Sequence, residues 1–187
     1  MNSKSQQQSN GCGCLLRLIG YGIIIPTILS LILPSLLDCS KKPKESEAKQ
    51  YVSSMNRAQQ AYFVDNNTFA NNFQKLGLGI KTEMTNYRYS ISATNKAVFS
   101  YGITRSDAYQ TEYILFIPRR VNVKLKSYIG GVFIVPATEV DANAVKDEIR
   151  TIAILCQTNS PSTTKPAKPT YKNGVLACGE GTRDLSR

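Results

Sequence analysis

Five cysteines are the residues best equipped for chemistry in this chain of 187: Cys12, Cys14, Cys39, Cys156 and Cys178. There is no histidine, which removes His-ligated zinc, His-ligated haem and every Ser-His or Cys-His relay. Gly11-Cys12-Gly13-Cys14 is a CxC pair of the kind that binds metal or cycles between thiol and disulfide, but no second pair stands at metal-ligand spacing. Lying beside an apolar run, it reads as small residues at a membrane edge, with palmitoylation the other chemistry open there. Cys156 and Cys178 differ. Each ends a short apolar run, 152–156 and 175–178, and the 21 residues between them include the Pro/Ser/Thr/Lys-rich stretch 159–170. Such a loop has no core of its own, so closure has to come from its ends. The two are expected to form a disulfide; two buried free thiols are the alternative. No nucleophile–base pair, carboxylate dyad or metal cluster is visible, so neither a cofactor nor an enzymatic activity is expected. Gly77-x-Gly79 lacks the rest of a phosphate-binding fingerprint and reads as a turn.

Charge is the second chemical signal. The formal net charge is +10, from 23 basic and 13 acidic residues. Arg119, Arg120, Lys124 and Lys126 near predicted strands are candidate anion-binding residues, with Lys165, Lys168 and Lys172 in the tail loop. DNA or polysaccharide would be their ligand, held by contacts that weaken steeply with salt. The competing reading is a solvated basic surface that keeps the protein soluble.

The elements that position these residues follow from hydropathy and spacing. Residues 1–17 form a polar flank. Residues 18–37 are uncharged and apolar, and at about 1.5 Å per residue they reach roughly 30 Å, enough to cross a bilayer. Pro26 and Pro34 are tolerated in such a span. Leu36-Leu37-Asp38 does not fit a secretory cleavage site, and an acid before Cys39 does not fit a lipoprotein one, so the span is expected to be retained. Residues 38–64 are a juxtamembrane segment and a spine helix, with a bend or break expected near Cys39–Lys44 because of Pro43. Ala48, Tyr51, Val52, Met55, Ala58 and Tyr62 recur at helical spacing and are the predicted core stripe, with Lys49 and Arg57 outside it. Residues 65–187 are the head. Alternation predicts strands at 87–93 and 97–103 as a hairpin, then at 111–117 (stopped by Pro118), 121–128, 132–135 and 151–156. The run 175–178 is available to rejoin the sheet, and 159–170 is too polar to bury much. The fold class is therefore α+β. Lys41, Lys42 and Lys44 after the span slightly outweigh Lys4 and Arg17 before it, which by charge alone would keep the head inside. A head disulfide argues for export.

Several stretches carry a resemblance: Leu33-Pro34-Ser35, Ser46-Glu47-Ala48-Lys49-Gln50-Tyr51-Val52 and Met55-Asn56-Arg57-Ala58-Gln59-Gln60-Ala61-Tyr62 in the helix. In the head they are Lys126-Ser127-Tyr128-Ile129-Gly130-Gly131-Val132-Phe133, Ile154-Leu155-Cys156 and Gly174-Val175-Leu176-Ala177-Cys178-Gly179. Over roughly residues 33 to 181 the chain resembles cyanobacterial type IV pilin-like G and H proteins. The resemblance implies a long N-terminal helix packed on an antiparallel sheet, with a C-terminal disulfide-bounded loop. It also implies a membrane-anchored structural protein with an exported head, a minor pilin or pseudopilin whose partners are the membrane and other pilin subunits. A non-polymerising membrane-anchored binding module is the alternative. Prepilins of this kind carry a Gly-Phe-Thr-Leu-Ile-Glu cleavage motif. Here the cleavage point would fall near Cys12 and Gly13, and Arg17 stands in the glutamate's place, so processing at that site is not expected.

Overall fold

The computed structural model describes residues 41–114, 117–146 and 148–185. The polar flank, the apolar run 18–37 and Cys12, Cys14 and Cys39 lie outside the described residues. So do the predicted leader cleavage and the span itself. The chain divides into two units, 1–40 and 41–187, and the second holds every element described below.

Helix α1 runs Lys41–Asn66. It is helical through Pro43, so the break predicted near Cys39–Lys44 is absent from the part that is described. The bond Pro43 cannot donate would have gone to position 39. Its buried face is Ala48, Val52, Met55, Asn56, Gln59 and Phe63. Tyr51, Ala58 and Tyr62, predicted to be core, are only half-buried, while Lys49 and Arg57 are exposed. At about 100° per residue, the buried stripe is rotated about 60° from the predicted one. The reason lies in two polar residues that an apolar-only reading passes over. Asn56 donates from Nδ2 to the Ile154 carbonyl at 3.0 Å. Gln59 clasps Ala70 at both ends, donating to its carbonyl at 2.8 Å and accepting from its amide at 2.9 Å. Gln59 is buried with both ends of its amide satisfied, whereas Asn56 is held by its Nδ2 alone and its buried Oδ1 has no partner among the described residues.

The segment read as a plain loop after α1 contains a one-turn helix, α2, Phe73–Leu76. Asn72 caps it, accepting from the Lys75 amide at 2.9 Å, and Gly77 ends it in the left-handed region.

The main sheet is antiparallel throughout, in the order β1-β2-β5-β6-β9. Its strands are β1 Tyr87–Ala93, β2 Ala97–Thr104, β5 Tyr128–Pro136, β6 Ile149–Thr158 and β9 Thr182–Asp184. A separate ribbon pairs β3, Tyr109–Ile114, with β4, Ile117–Asn122. A second small ribbon pairs β7, Thr170–Lys172, with β8, Val175–Ala177. Three expectations are corrected here. Pro118 does not stop a strand but sits inside β4, opposite Tyr113, where a two-stranded ribbon tolerates a missing donor. Residues 123–127 keep the predicted in–out alternation, with Val123 and Leu125 buried and Lys124 exposed, yet they form no strand. The run at 175–177 pairs with β7 instead of rejoining the main sheet, where β9 takes the place beside β6.

Both faces of the sheet are covered. α1 lies on one, with Ala48, Val52 and Met55 packed among Tyr87, Tyr89, Tyr128 and Leu155. Phe99, Tyr101, Ile129, Phe133, Ile154 and Cys156 form the other face. The Cys156–Cys178 disulfide is present, with Cα atoms 5.8 Å apart. The segment it closes lies on that second face: Pro166 and Pro169 are buried, and Lys165 and Lys168 sit over the rings of Tyr101 and Phe99 at 4.1 and 5.1 Å. The stretch 159–170 thus buries more than its composition implied, because proline rings are apolar and bring no N–H to satisfy. Gly130 and Gly131, in mid-strand, make both contacts close. A Cβ on Gly130 would stand 2.1 Å from Asn56 Oδ1, and one on Gly131 would stand 2.7 Å from Pro169 Cγ.

Candidate interaction surface

The β3–β4 ribbon emerges from a root fixed by two side chains from other segments and one backbone bond. The Asn86 Oδ1 accepts from the Tyr109 amide at 3.0 Å, and Lys44 donates from Nζ to the Tyr109 carbonyl at 3.1 Å. The Val123 amide closes the root on Ala108 O at 3.0 Å, and both residues are buried with α1. Desolvation at this contact lowers the Lys44 pKa.

Register and the strand period of two sort the ribbon's side chains. One face carries Tyr109, Thr111 and Tyr113 opposite Asn122, Arg120 and Pro118. The other carries Gln110, Glu112 and Ile114 opposite Val121, Arg119 and Ile117. Arg120 stacks over Tyr109, 4.6 Å from the ring centroid. Gln110 donates to Glu112 at 2.6 Å. Toward the tip, Tyr113 is 72%, Ile114 52% and Ile117 70% exposed, so three large apolar side chains stand in solvent beside two arginines. The four predicted anion-binding residues are therefore not one cluster. Arg119 and Arg120 face opposite sides of the ribbon, and Lys124 and Lys126 follow it. Lys126 is half-buried, its amide donating to Glu45 Oε1 at 2.9 Å. In the tail, Lys165 and Lys168 are committed to aromatic rings, and Lys172 is exposed.

Beside the ribbon root lies an open groove of about 990 Å³, lined by Lys44, Glu47, Tyr51, Arg105, Asp107 and Tyr109 among others. Its charges largely answer one another. Arg105 meets both carboxylate oxygens of Asp107, at 2.8 and 2.7 Å, and reaches Glu83 at 3.5 Å. The hydrogen bond from Arg105 pulls the Asp107 pKa down to about 2 and pushes that of Arg105 up. The hydroxyls of Tyr87, Tyr89 and Tyr128 are raised chiefly by burial, Tyr128 to about 12, so they stay protonated at neutral pH. Nothing here activates a nucleophile. Among the described residues no group of three or more Cys, Asp or Glu is gathered to hold a metal. No helix among them is long and apolar enough to cross a membrane.

The sequence predicts one strand over 111–117, stopped by Pro118; instead β3 and β4 form a two-stranded ribbon on which Tyr113, Ile114 and Ile117 are exposed, and a continuous apolar run gives no signal of that, since it ordinarily marks a buried strand.

A family model described as Type IV pilin-like G and H matches residues 45–179, which include most of α1, the central strands β1 to β6 and both disulfide cysteines. No curated protein and no solved structure gives a significant match.

Proposed function

Because the chain belongs to the type IV pilin-like G and H family, we propose that it is a membrane-anchored structural protein whose head is exported, a minor pilin or pseudopilin of a pilus or secretion filament. The observation that carries this reading is the combination of a spine helix on an antiparallel sheet with a C-terminal segment closed by the Cys156–Cys178 bridge. Disulfides persist mainly in oxidising compartments, which supports a head outside the cytoplasm. The uncharged run 18–37 supplies the anchor. Contacts with other subunits run through the N-terminal helix in this reading.

The test is fractionation of intact cells. The chain is expected in sheared surface filaments, and its head is expected to be cut by protease added outside. Thiol counting on unreduced protein should find neither Cys156 nor Cys178 titratable. The mature N-terminus, read by mass spectrometry, is expected upstream of the span. A methylated chain beginning within residues 12–14 would instead mean prepilin-type processing.

The exposed Arg119, Arg120 and Lys124 favour a second reading, a membrane-anchored module that binds DNA or polysaccharide without polymerising. It predicts absence from sheared filaments together with binding that falls steeply as salt is raised.

A further inference from the structure

We propose that the open groove beside the ribbon root is a binding site for a neutral polysaccharide, a chain of uncharged sugars that lies along it with ring faces on Tyr51 and Tyr109. The site is separate from the arginines and Lys124 of the second reading above, and its ligand is uncharged where theirs is anionic. The first argument is charge. Lys44, Lys81 and Arg105 line the groove together with Glu47, Glu83 and Asp107, so three cations meet three carboxylates on a chain whose net charge is +10. An anionic ligand calls for donors with no carboxylates among them, whereas sugar hydroxyls both donate and accept and can use each kind. Nucleic acid and acidic polysaccharide are therefore the poorer matches.

The second argument is how firmly the lining groups are held. Arg105 fixes its guanidinium on Asp107 at 2.8 and 2.7 Å, and its backbone amide bonds Asn86 O at 2.9 Å. Asn86 accepts from the Tyr109 amide with its Oδ1, which leaves its Nδ2 as a donor. Tyr51 and Tyr109 are half-buried. Tyr89 braces Tyr51 edge-on, ring centroids 5.5 Å apart, and Arg120 lies over Tyr109. Each ring is thus steadied by a neighbour while part of it stays in solvent. Tyrosine suits a sugar, because the ring covers C–H groups while the hydroxyl stays wet, and ordering it costs little entropy. The volume of about 990 Å³ stands at the upper end of the range for ligand sites. An extended peptide fits less well, since it would seek a free strand edge. Here the edge of β1 is taken, with the Tyr89 amide on Thr82 O at 2.7 Å and the Met84 amide on Tyr87 O at 2.9 Å.

The chain contains no tryptophan, so Tyr51→Trp puts a unique reporter on the groove without removing an aromatic face. The full-length protein is kept in a zwitterionic detergent, which has no sugar headgroup to compete. The probes are cellohexaose, N-acetylchitohexaose and maltohexaose, with oligogalacturonate and a single-stranded oligodeoxynucleotide as anionic comparisons. Calorimetry is expected to show binding of at least one neutral probe, its affinity changing less than about two-fold between roughly 50 and 500 mM salt. The same probe should shift the emission of the Tyr51→Trp variant. Tyr51→Ala should weaken binding about ten-fold. Glu47→Gln and Lys81→Ala, both at exposed positions, should each weaken it about three-fold, and they carry the test if Tyr51→Ala fails to fold. Failure of all three neutral probes to bind would overturn the proposal. Neutral binding that none of these variants weakens would place the sugar elsewhere and overturn it too. Binding confined to the anionic probes and falling steeply with salt would overturn the groove and favour the basic module of the second reading.

Discussion

At the scale of single residues, the head is decided by small and polar side chains where large apolar ones are normally sought. Gly130 and Asn56 are one such pair. The hypothetical Cβ stands 2.1 Å from a side chain that is itself buried and hydrogen-bonded to Ile154 O, so it has little room to retreat. Gly130→Ala is expected to cost about 1–3 kcal/mol in a urea melt. Combining it with Asn56→Ala should recover part of that loss, and strict additivity would mean the two do not compete for space. The tyrosines set a pH limit. Tyr128 is raised to about 12 by burial first and the nearby Glu45 carboxylate second, and Gln157 donates to its hydroxyl at 2.6 Å. Its unfolded-state value is about 10, so the stability this contributes is complete below pH ~10 and is lost as pH rises toward 12. Tyr87 and Tyr89 act in the same direction. The thermal midpoint should fall between pH 10 and 12, less steeply in Tyr128→Phe, and a flat profile would contradict the burial.

At the scale of elements, α1 and the disulfide-closed segment clamp the sheet from opposite sides. Met55 is fully buried between α1 and the sheet. Met55→Ala should destabilise by about 2–5 kcal/mol, read from denaturant midpoints. On the other face, the bridge joins positions 22 residues apart. Its loss is expected to cost about 3 kcal/mol, with hydrogen exchange rising first in 159–173 and last in α1. Uniform loosening of the whole head would argue against a separable layer. These elements were unevenly legible in the sequence. The β1–β2 hairpin, the spine and the pairing of Cys156 with Cys178 could be read, because alternation, helical spacing and the ends of apolar runs are local signals. The rotation of the spine could not, since Asn56 and Gln59 are buried only by virtue of partners 98 and 11 residues away. Likewise, nothing local tells that Val175 to Ala177 pairs with β7 while Thr182 to Asp184 joins β6. The exposure of Tyr113, Ile114 and Ile117 was not legible, since an apolar run without alternation ordinarily marks a buried strand.

At the scale of the whole head, surface chemistry is distributed and not gathered into one site. Arg105 in the groove is paired with Asp107 and Glu83, two tail lysines are committed to rings, and exposed large apolar side chains are spread over several places, from Val64 at the end of α1 to Tyr113, Ile114 and Ile117 on the ribbon, Val145 and Val175. The borders of the sheet complete the picture. Gln60, reaching across from α1, donates to the Thr151 carbonyl at 3.1 Å, Leu185 N takes Leu155 O at 2.8 Å, and β9 covers the last residues of β6. At the opposite border, the Tyr89 amide bonds Thr82 O at 2.7 Å and Met84 N bonds Tyr87 O at 2.9 Å. Backbone groups that would template an incoming strand are thus already occupied at several points on both rims, at Tyr87 and Tyr89 on one and at Thr151, Leu155 and the residues beside β9 on the other, a protection against runaway β-stacking. In the filament proposed above, that protection would matter more than in a solitary head. Identical heads side by side would recognise one another by the side chains they present, with much of the edge backbone left out of the contact.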